Sequence, residues 1–214
     1  KYNKTIILGN STINATGKTA SYAIIAEDGG QITVGSAGKN VNLTGDVKVD
    51  GGSVINHGDV TINGQLLVKA AGASSEYTSI GESLRINAGS DSAVQIENSS
   101  QKNVSNVLNF NSKNTELSSS GSSYISAVNI LNNNQPDVTA SNTVNFRGDT
   151  TKITATATDG KAQGVRIGES NFGSGKLTTD INFGATNTSI NVKGNVVAGD
   201  YYDQVAGIWE GEGS

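Results

Sequence analysis

The chain has 214 residues, 15 basic and 19 acidic side chains, a net charge of −4, one proline, no cysteine and no methionine. At 35% hydrophobic, 5% aromatic and 16% charged, it is too lean for one broad globular core and too weakly charged for a disordered chain. The scattered basic residues form no stripe for a phosphate backbone, the missing cysteines remove disulfides and thiolate metal sites, and no apolar run reaches the ~18 residues of a membrane span. Neither nucleic acid binding nor direct membrane insertion is expected. The chain has no starting methionine, so we expect a processed protein or a segment of a longer one.

In chain order, an apolar–polar–apolar cassette recurs from end to end. It reads Val41-Asn42-Leu43, Val47-Lys48-Val49, Val60-Thr61-Ile62, Leu84-Arg85-Ile86, Val94-Gln95-Ile96 and Leu108-Asn109-Phe110 in the first half. Val128-Asn129-Ile130, Val144-Asn145-Phe146, Val165-Arg166-Ile167, Ile181-Asn182-Phe183 and Ile190-Asn191-Val192 continue it. Alternation with period two predicts short strands, each burying two side chains and turning one to water. Between them lie Gly51-Gly52, Asn63-Gly64, Asn87-Ala88-Gly89, Asp159-Gly160 and Gly194-Asn195, residues that tolerate sharp corners. No helix is predicted. Residues 70–83 are the least strand-like stretch and are expected to protrude as a loop. Residues 200–214 are expected to form a final coil or a cap, and residues 1–214 a single domain.

Two all-β architectures fit this pattern. In a parallel β-helix (β-solenoid), cassettes spaced about 16–24 residues apart stack coil on coil. At ~20 residues per coil and ~4.8 Å per level, that predicts about ten coils and a rod of about 50 Å. The competitor is an antiparallel sandwich, in which Val60 to Val68 forms a hairpin turning at Asn63-Gly64. The cassettes are shorter than the usual five or six residues of a sandwich strand, so the β-helix is preferred.

The Asn-rich Val-Asn-Phe, Ile-Asn-Val and Val-Asn-Ile cassettes, the Gly/Asn/Asp corners, the ragged coils and the lack of cysteine resemble the passenger domain of Gram-negative autotransporter adhesins. The resemblance covers nearly the whole chain as a texture, without a fingerprint motif. It implies a right-handed parallel β-helix, exposure on the bacterial outer surface or secretion, and a role in adhesion and biofilm-type association. There is no outer-membrane barrel here, so the resemblance implies a passenger fragment.

Several residues are candidates for contact. Outward Asn side chains, Asn109, Asn129 and Asn145 with Asn42, Asn182 and Asn191, are expected to display amides to a partner. Such a wall can pair with an identical wall, and many weak contacts add up by multivalency. Arg147-Gly148-Asp149 resembles an integrin-recognition tripeptide, or is a chance corner. Tyr201, Tyr202 and Trp209 form an aromatic cluster among carboxylates that suits a sugar, a partner or a cap. Asp46, Asp50 and Asp59 are the carboxylates that a glycan-active enzyme or a calcium site would need. His57 is the only histidine, so a transition-metal site or a Ser/His/Asp triad is not expected. Lys152 to Thr158 alternates threonine in the manner of ice-binding solenoids, or of an ordinary exposed strand.

The expected function is attachment without cofactor, metal or catalysis. The partner is the same protein on another cell, or a host-surface protein or glycan. A polysaccharide-binding or polysaccharide-degrading β-helix is the alternative, and a passive structural stalk a further one.

Overall fold

The computed structural model describes residues 6, 9–17, 21–99, 103–132, 138–170, 177–195 and 205–213, which form β-strands and no helix. The chain lays the strands down three at a time. The first level holds β1 (Ser11–Asn14), β2 (Tyr22–Glu27) and β3 (Gln31–Val34), and the second β4 (Asn40–Thr44), β5 (Asp46–Asp50) and β6 (Ser53–Asn56). The third holds β7 (Asp59–Asn63), β8 (Leu66–Ala70) and β9 (Ser75–Ser79), and the fourth β10 (Ser83–Asn87), β11 (Val94–Asn98) and β12 (Val104–Phe110). Then come β13 (Asn114–Gly121), β14 (Ile125–Asn132) and β15 (Ala140–Phe146), followed by β16 (Thr150–Ala157), β17 (Ala162–Ser170) and β18 (Leu177–Phe183). β19 (Asn187–Lys193) and β20 (Ala206–Gly213) complete the series.

Each strand pairs, in parallel, with the strands three places before and after it. Three sheets result. Sheet A is β1-β4-β7-β10-β13-β16-β19, sheet B is β2-β5-β8-β11-β14-β17-β20, and sheet C is β3-β6-β9-β12-β15-β18. The all-β expectation holds, and the strand order is consistent with a parallel β-solenoid. The sandwich alternative does not hold. β7 and β8, the two arms of its hairpin, lie in different sheets, and the strand pairings among the described residues are parallel.

Among the described residues two ladders are seven levels deep and the third six, about 30 Å at ~4.8 Å per level, where the sequence led us to expect about ten coils. Successive register partners in sheet A (Ser11, Val41, Val60, Leu84, Thr115, Thr151 and Thr188) lie 30, 19, 24, 31, 36 and 37 residues apart. The ~20-residue period describes only the shortest levels. Later levels lengthen both their corners and their strands, from five residues in β4 to eight in β16.

The core follows from the cassettes. Leu43, Ile62, Ile86, Leu117 and Ile153 stack as one inward column of sheet A. Val47, Leu66, Val94, Val128 and Val165 do the same in sheet B. Sheet C carries the aromatics. Phe110 stacks on Phe146 and Phe146 on Phe183, with centroids 5.0 and 5.2 Å apart and the planes within 12° and 4°. Like side chains in register stack with full overlap, so narrow apolar columns replace a broad core.

The expected loop at residues 70–83 is corrected. It contains β9, which joins β6 to β12, and its Tyr77 is fully buried. Its inward positions are Ser75, Tyr77 and Ser79, two of them small and polar, so the apolar alternation that marks the other strands is missing. Residues 206–213 form β20, the last strand of sheet B among the described residues.

Candidate functional site

The outward amides of sheet C are engaged with one another. Thr78, Asn109, Asn145 and Asn182 are register partners on successive strands. Asn145 Nδ2 donates to Asn109 Oδ1 at 2.9 Å, Asn182 Nδ2 to Asn145 Oδ1 at 2.9 Å, and Asn109 Nδ2 to Thr78 Oγ1 at 3.3 Å. All three Asn alternate with inward neighbours, as the sequence predicts for an outward rung. Asn145 is nevertheless only 5% exposed, bonded to the rungs on either side. Each rung therefore spends amide hydrogen-bonding capacity within the chain. Asn129 lies on a different sheet, B, where its Oδ1 accepts from Arg166 Nη1 at 3.1 Å. The structure thus separates Asn129 from Asn109 and Asn145.

The wall that stays open to a partner is on sheet A. Asn14, Thr44, Asn63, Asn87, Ser118, Thr154 and Asn191 are register partners through all seven levels, every one an uncharged hydrogen-bonding residue and none buried. Three rungs are tied together, with Ser118 Oγ donating to Asn87 Oδ1 at 2.8 Å and Asn87 Nδ2 to Asn63 Oδ1 at 3.4 Å. Two residues earlier along the same strands runs a charged column in which Glu116 takes Arg85 at 3.0 Å and Lys152 at 3.1 Å. The Lys152 to Thr158 stretch contributes to both columns. Sequence reading overlooked most of the uncharged column, although Asn63 and Asn87 each follow a cassette directly.

A second amide cluster lies inside. Asn98, Asn106 and Asn142 are completely buried. Asn98 Nδ2 donates to Asn142 Oδ1 at 2.7 Å, and Asn106 Nδ2 to Asn98 Oδ1 at 2.8 Å and Asn142 Oδ1 at 3.2 Å. These amides bond to each other where sheets B and C meet, while Asn106 Oδ1 is left without a partner.

Arg147-Gly148-Asp149 forms the corner between β15 and β16, with Arg147 and Asp149 exposed. Its backbone is held from neighbouring levels. Arg147 N–H donates to Phe110 O at 2.9 Å, Asp149 N–H to Lys113 O at 2.8 Å, and Asn187 N–H to Asp149 O at 2.9 Å. A Cβ on Gly148 would lie 1.9 Å from Ser112 O. Glycine is required there by the stacking of corners. Gly81, two corners lower, meets Gly58 O at 2.0 Å in the same way.

The three aspartates do not converge. Asp46 Oδ1 accepts from Gln65 N–H at 2.8 Å and Asp59 Oδ1 from Ser83 N–H at 3.0 Å, each fastening the start of the next strand in its own sheet. Asp50 Oδ2 pairs with Lys48 Nζ at 3.2 Å, and that ammonium also meets Glu27 Oε1 at 3.0 Å. The Glu27 hydrogen bond holds the Lys48 pKa above its ordinary value. His57 is exposed. Among the described residues no three His, Cys, Asp or Glu side chains group as a metal site.

Tyr201 and Tyr202 lie outside the described residues. Trp209 is on β20, in register with Arg166 and, one strand further, Asn129. The Arg166 guanidinium carbon sits 5.4 Å from the Trp209 ring and 5.6 Å from that of Tyr124. Tyr124, not singled out by the sequence, precedes β14 and is 38% exposed. No protein-family model matches the chain, and no curated protein or solved structure matches it.

Proposed function

We propose that this chain is an attachment segment of a bacterial surface adhesin of the autotransporter passenger type, exposed on the outer surface or released from it. The proposal rests first on the uncharged column of sheet A, which repeats hydrogen-bonding side chains at every level along one face. A regular wall of that kind offers many weak, similar contacts, and multivalency between cells turns them into adhesion. It offers them equally to a second copy of the chain, which favours cell-to-cell self-association.

The coils are proposed to wind right-handed, because a parallel strand returning to its own sheet through a crossover takes that hand almost always. The described carboxylates support a non-catalytic reading. Glu27, Asp50, Glu82, Glu97 and Glu116 sit in ion pairs, and Asp46 and Asp59 accept from backbone amides, whereas glycoside hydrolysis requires two carboxylates facing each other across a substrate.

The test is a settling assay with the segment displayed on non-adherent bacteria. Displaying cells should settle faster than empty-display cells, and added soluble chain should slow them. Asn63→Lys with Asn87→Lys, which sets like charges along the face, should abolish the effect. Cells that stay suspended would sink the self-association reading.

A further inference from the structure

We propose that the outer face of sheet B near β20 is a binding platform for an acidic, carboxylate-bearing polysaccharide, with Tyr124, Arg166 and Trp209 as its contact residues. The proposal rests on the attachment reading above and names a partner class for it.

The platform is built by register. Arg166 and Trp209 are directly opposite each other on β17 and β20, one strand spacing apart. Their neighbours on the same face are glycines, Gly168 and Gly211, which also face each other. A Cβ on Gly211 would lie 2.2 Å from Trp209 Cη2 and Cζ2, and a Cβ on Gly168 3.0 Å from the Arg166 guanidinium carbon. The indole and the guanidinium therefore lie down along their strands over bare backbone. Any larger residue at either glycine would tilt them upright. Tyr124 adds a second ring, its hydroxyl donating to Gln163 Oε1 at 2.8 Å, and Gln163 is 3% exposed. The ring is thereby pinned at its polar end.

The chemistry of this array is apolar and cationic together. Flat rings suit the C–H faces of pyranose units, whose hydroxyls point sideways to polar neighbours. Arg166 Nη1 is occupied by Asn129 Oδ1 at 3.1 Å. Among the described residues Arg166 makes no ion pair. A planar guanidinium with N–H groups to spare matches a carboxylate. Lys161, whose Nζ is 5.2 Å from the Tyr124 ring centre, adds a second positive charge. Glu210, the nearest described acid along β20, takes the alternate position and so belongs to the opposite side of the strand from Trp209. A neutral glycan would use the rings alone, whereas a uronate polymer uses rings and cations.

The test is affinity electrophoresis of the soluble chain in gels containing polygalacturonate, with dextran as the neutral control. Polygalacturonate should retard the chain and dextran should not. Trp209→Ala should weaken retardation about tenfold, the value of one lost ring contact. Arg166→Gln should weaken it as strongly, and added salt should mimic that variant. Unfolding curves of both variants should match wild type within a few degrees. Two results overturn the proposal: no retardation by polygalacturonate, or retardation that both folded variants keep. Equal retardation by dextran overturns the acidic assignment. The settling assay is read separately. Settling without uronate binding removes the platform and leaves the attachment reading, and uronate binding without settling does the reverse for self-association.

Discussion

Asn145 donates to Asn109 at 2.9 Å from the next strand, and the two residues are in direct register. Because Asn182 repeats the arrangement one level higher, Asn145 is the only one of the three bonded on both sides by amides. Replacing it with alanine strands the Asn109 carbonyl and the Asn182 amide at once. Asn145→Ala is expected to cost about 1–3 kcal/mol, the range for unpaired buried groups. Asn182→Ala unpairs one group, Asn145 Oδ1, instead of two and should cost less than Asn145→Ala. Urea unfolding of the two variants checks the order. Equal losses would mean that the ladder's middle rung carries no special weight.

The Phe110–Phe146–Phe183 stack is the second place where a single level supports its neighbours. Phe146 is fully buried and has a ring on each side. Phe146→Ala opens a ring-sized cavity in the middle of the column and should cost about 3–5 kcal/mol. Phe146→Leu keeps most of the volume and should cost clearly less. In a solenoid each level touches only the levels next to it, so hydrogen exchange in Phe146→Ala should accelerate around β12, β15 and β18 before it does around β4 to β6. Uniform acceleration would mean that the rod melts as one unit.

How much of this was legible in the sequence varies with the residue. Cassettes such as Leu108-Asn109-Phe110 carried their strands and their inward and outward faces, because two large apolar side chains flank a single polar one. β9 was not legible, because Ser75 and Ser79 are inward without being apolar. The interior Asn98, Asn106 and Asn142 were equally hidden. A buried amide and an exposed one are identical as letters, and only register shows that three of them meet. The count of levels was misjudged because corners and strands lengthen toward the C-terminal end. At the candidate site, Trp209 was visible as an aromatic. Its partner Tyr124 lies 85 residues earlier, and only the winding brings it near.

The Arg147-Gly148-Asp149 corner gives a clear separation between structural and recognition roles. Gly148→Ala places a methyl group against Ser112 O and should destabilise by about 1–3 kcal/mol, as overpacking does. Arg147→Ala and Asp149→Ala change exposed side chains and should stay within about 0.5 kcal/mol. Attachment of integrin-bearing cells to the immobilised chain should be insensitive to a competing Arg-Gly-Asp peptide, since the corner's backbone is bonded to neighbouring levels. Peptide inhibition together with loss of attachment in Asp149→Ala would establish the tripeptide as a ligand.

Tyr77 supplies a pH dependence whose sign is fixed by burial. Its phenol is fully buried beside the Asn56 amide, and burial pushes its pKa well above the ordinary 10.0. The folded chain keeps this proton after the unfolded chain has lost it. Its contribution is therefore complete below pH 10.0 and is lost progressively as the pH rises beyond that. Tyr77→Phe removes the titrating group. It also takes the hydroxyl from Asn56, whose Oδ1 already lacks a partner, so at neutral pH the variant should be less stable by about 1–3 kcal/mol. The gap should narrow between about pH 9 and pH 11, because only wild type is penalised there. Urea unfolding at the two pH values measures it. A gap that stays constant would show that Tyr77 ionises in the folded chain, which its complete burial forbids.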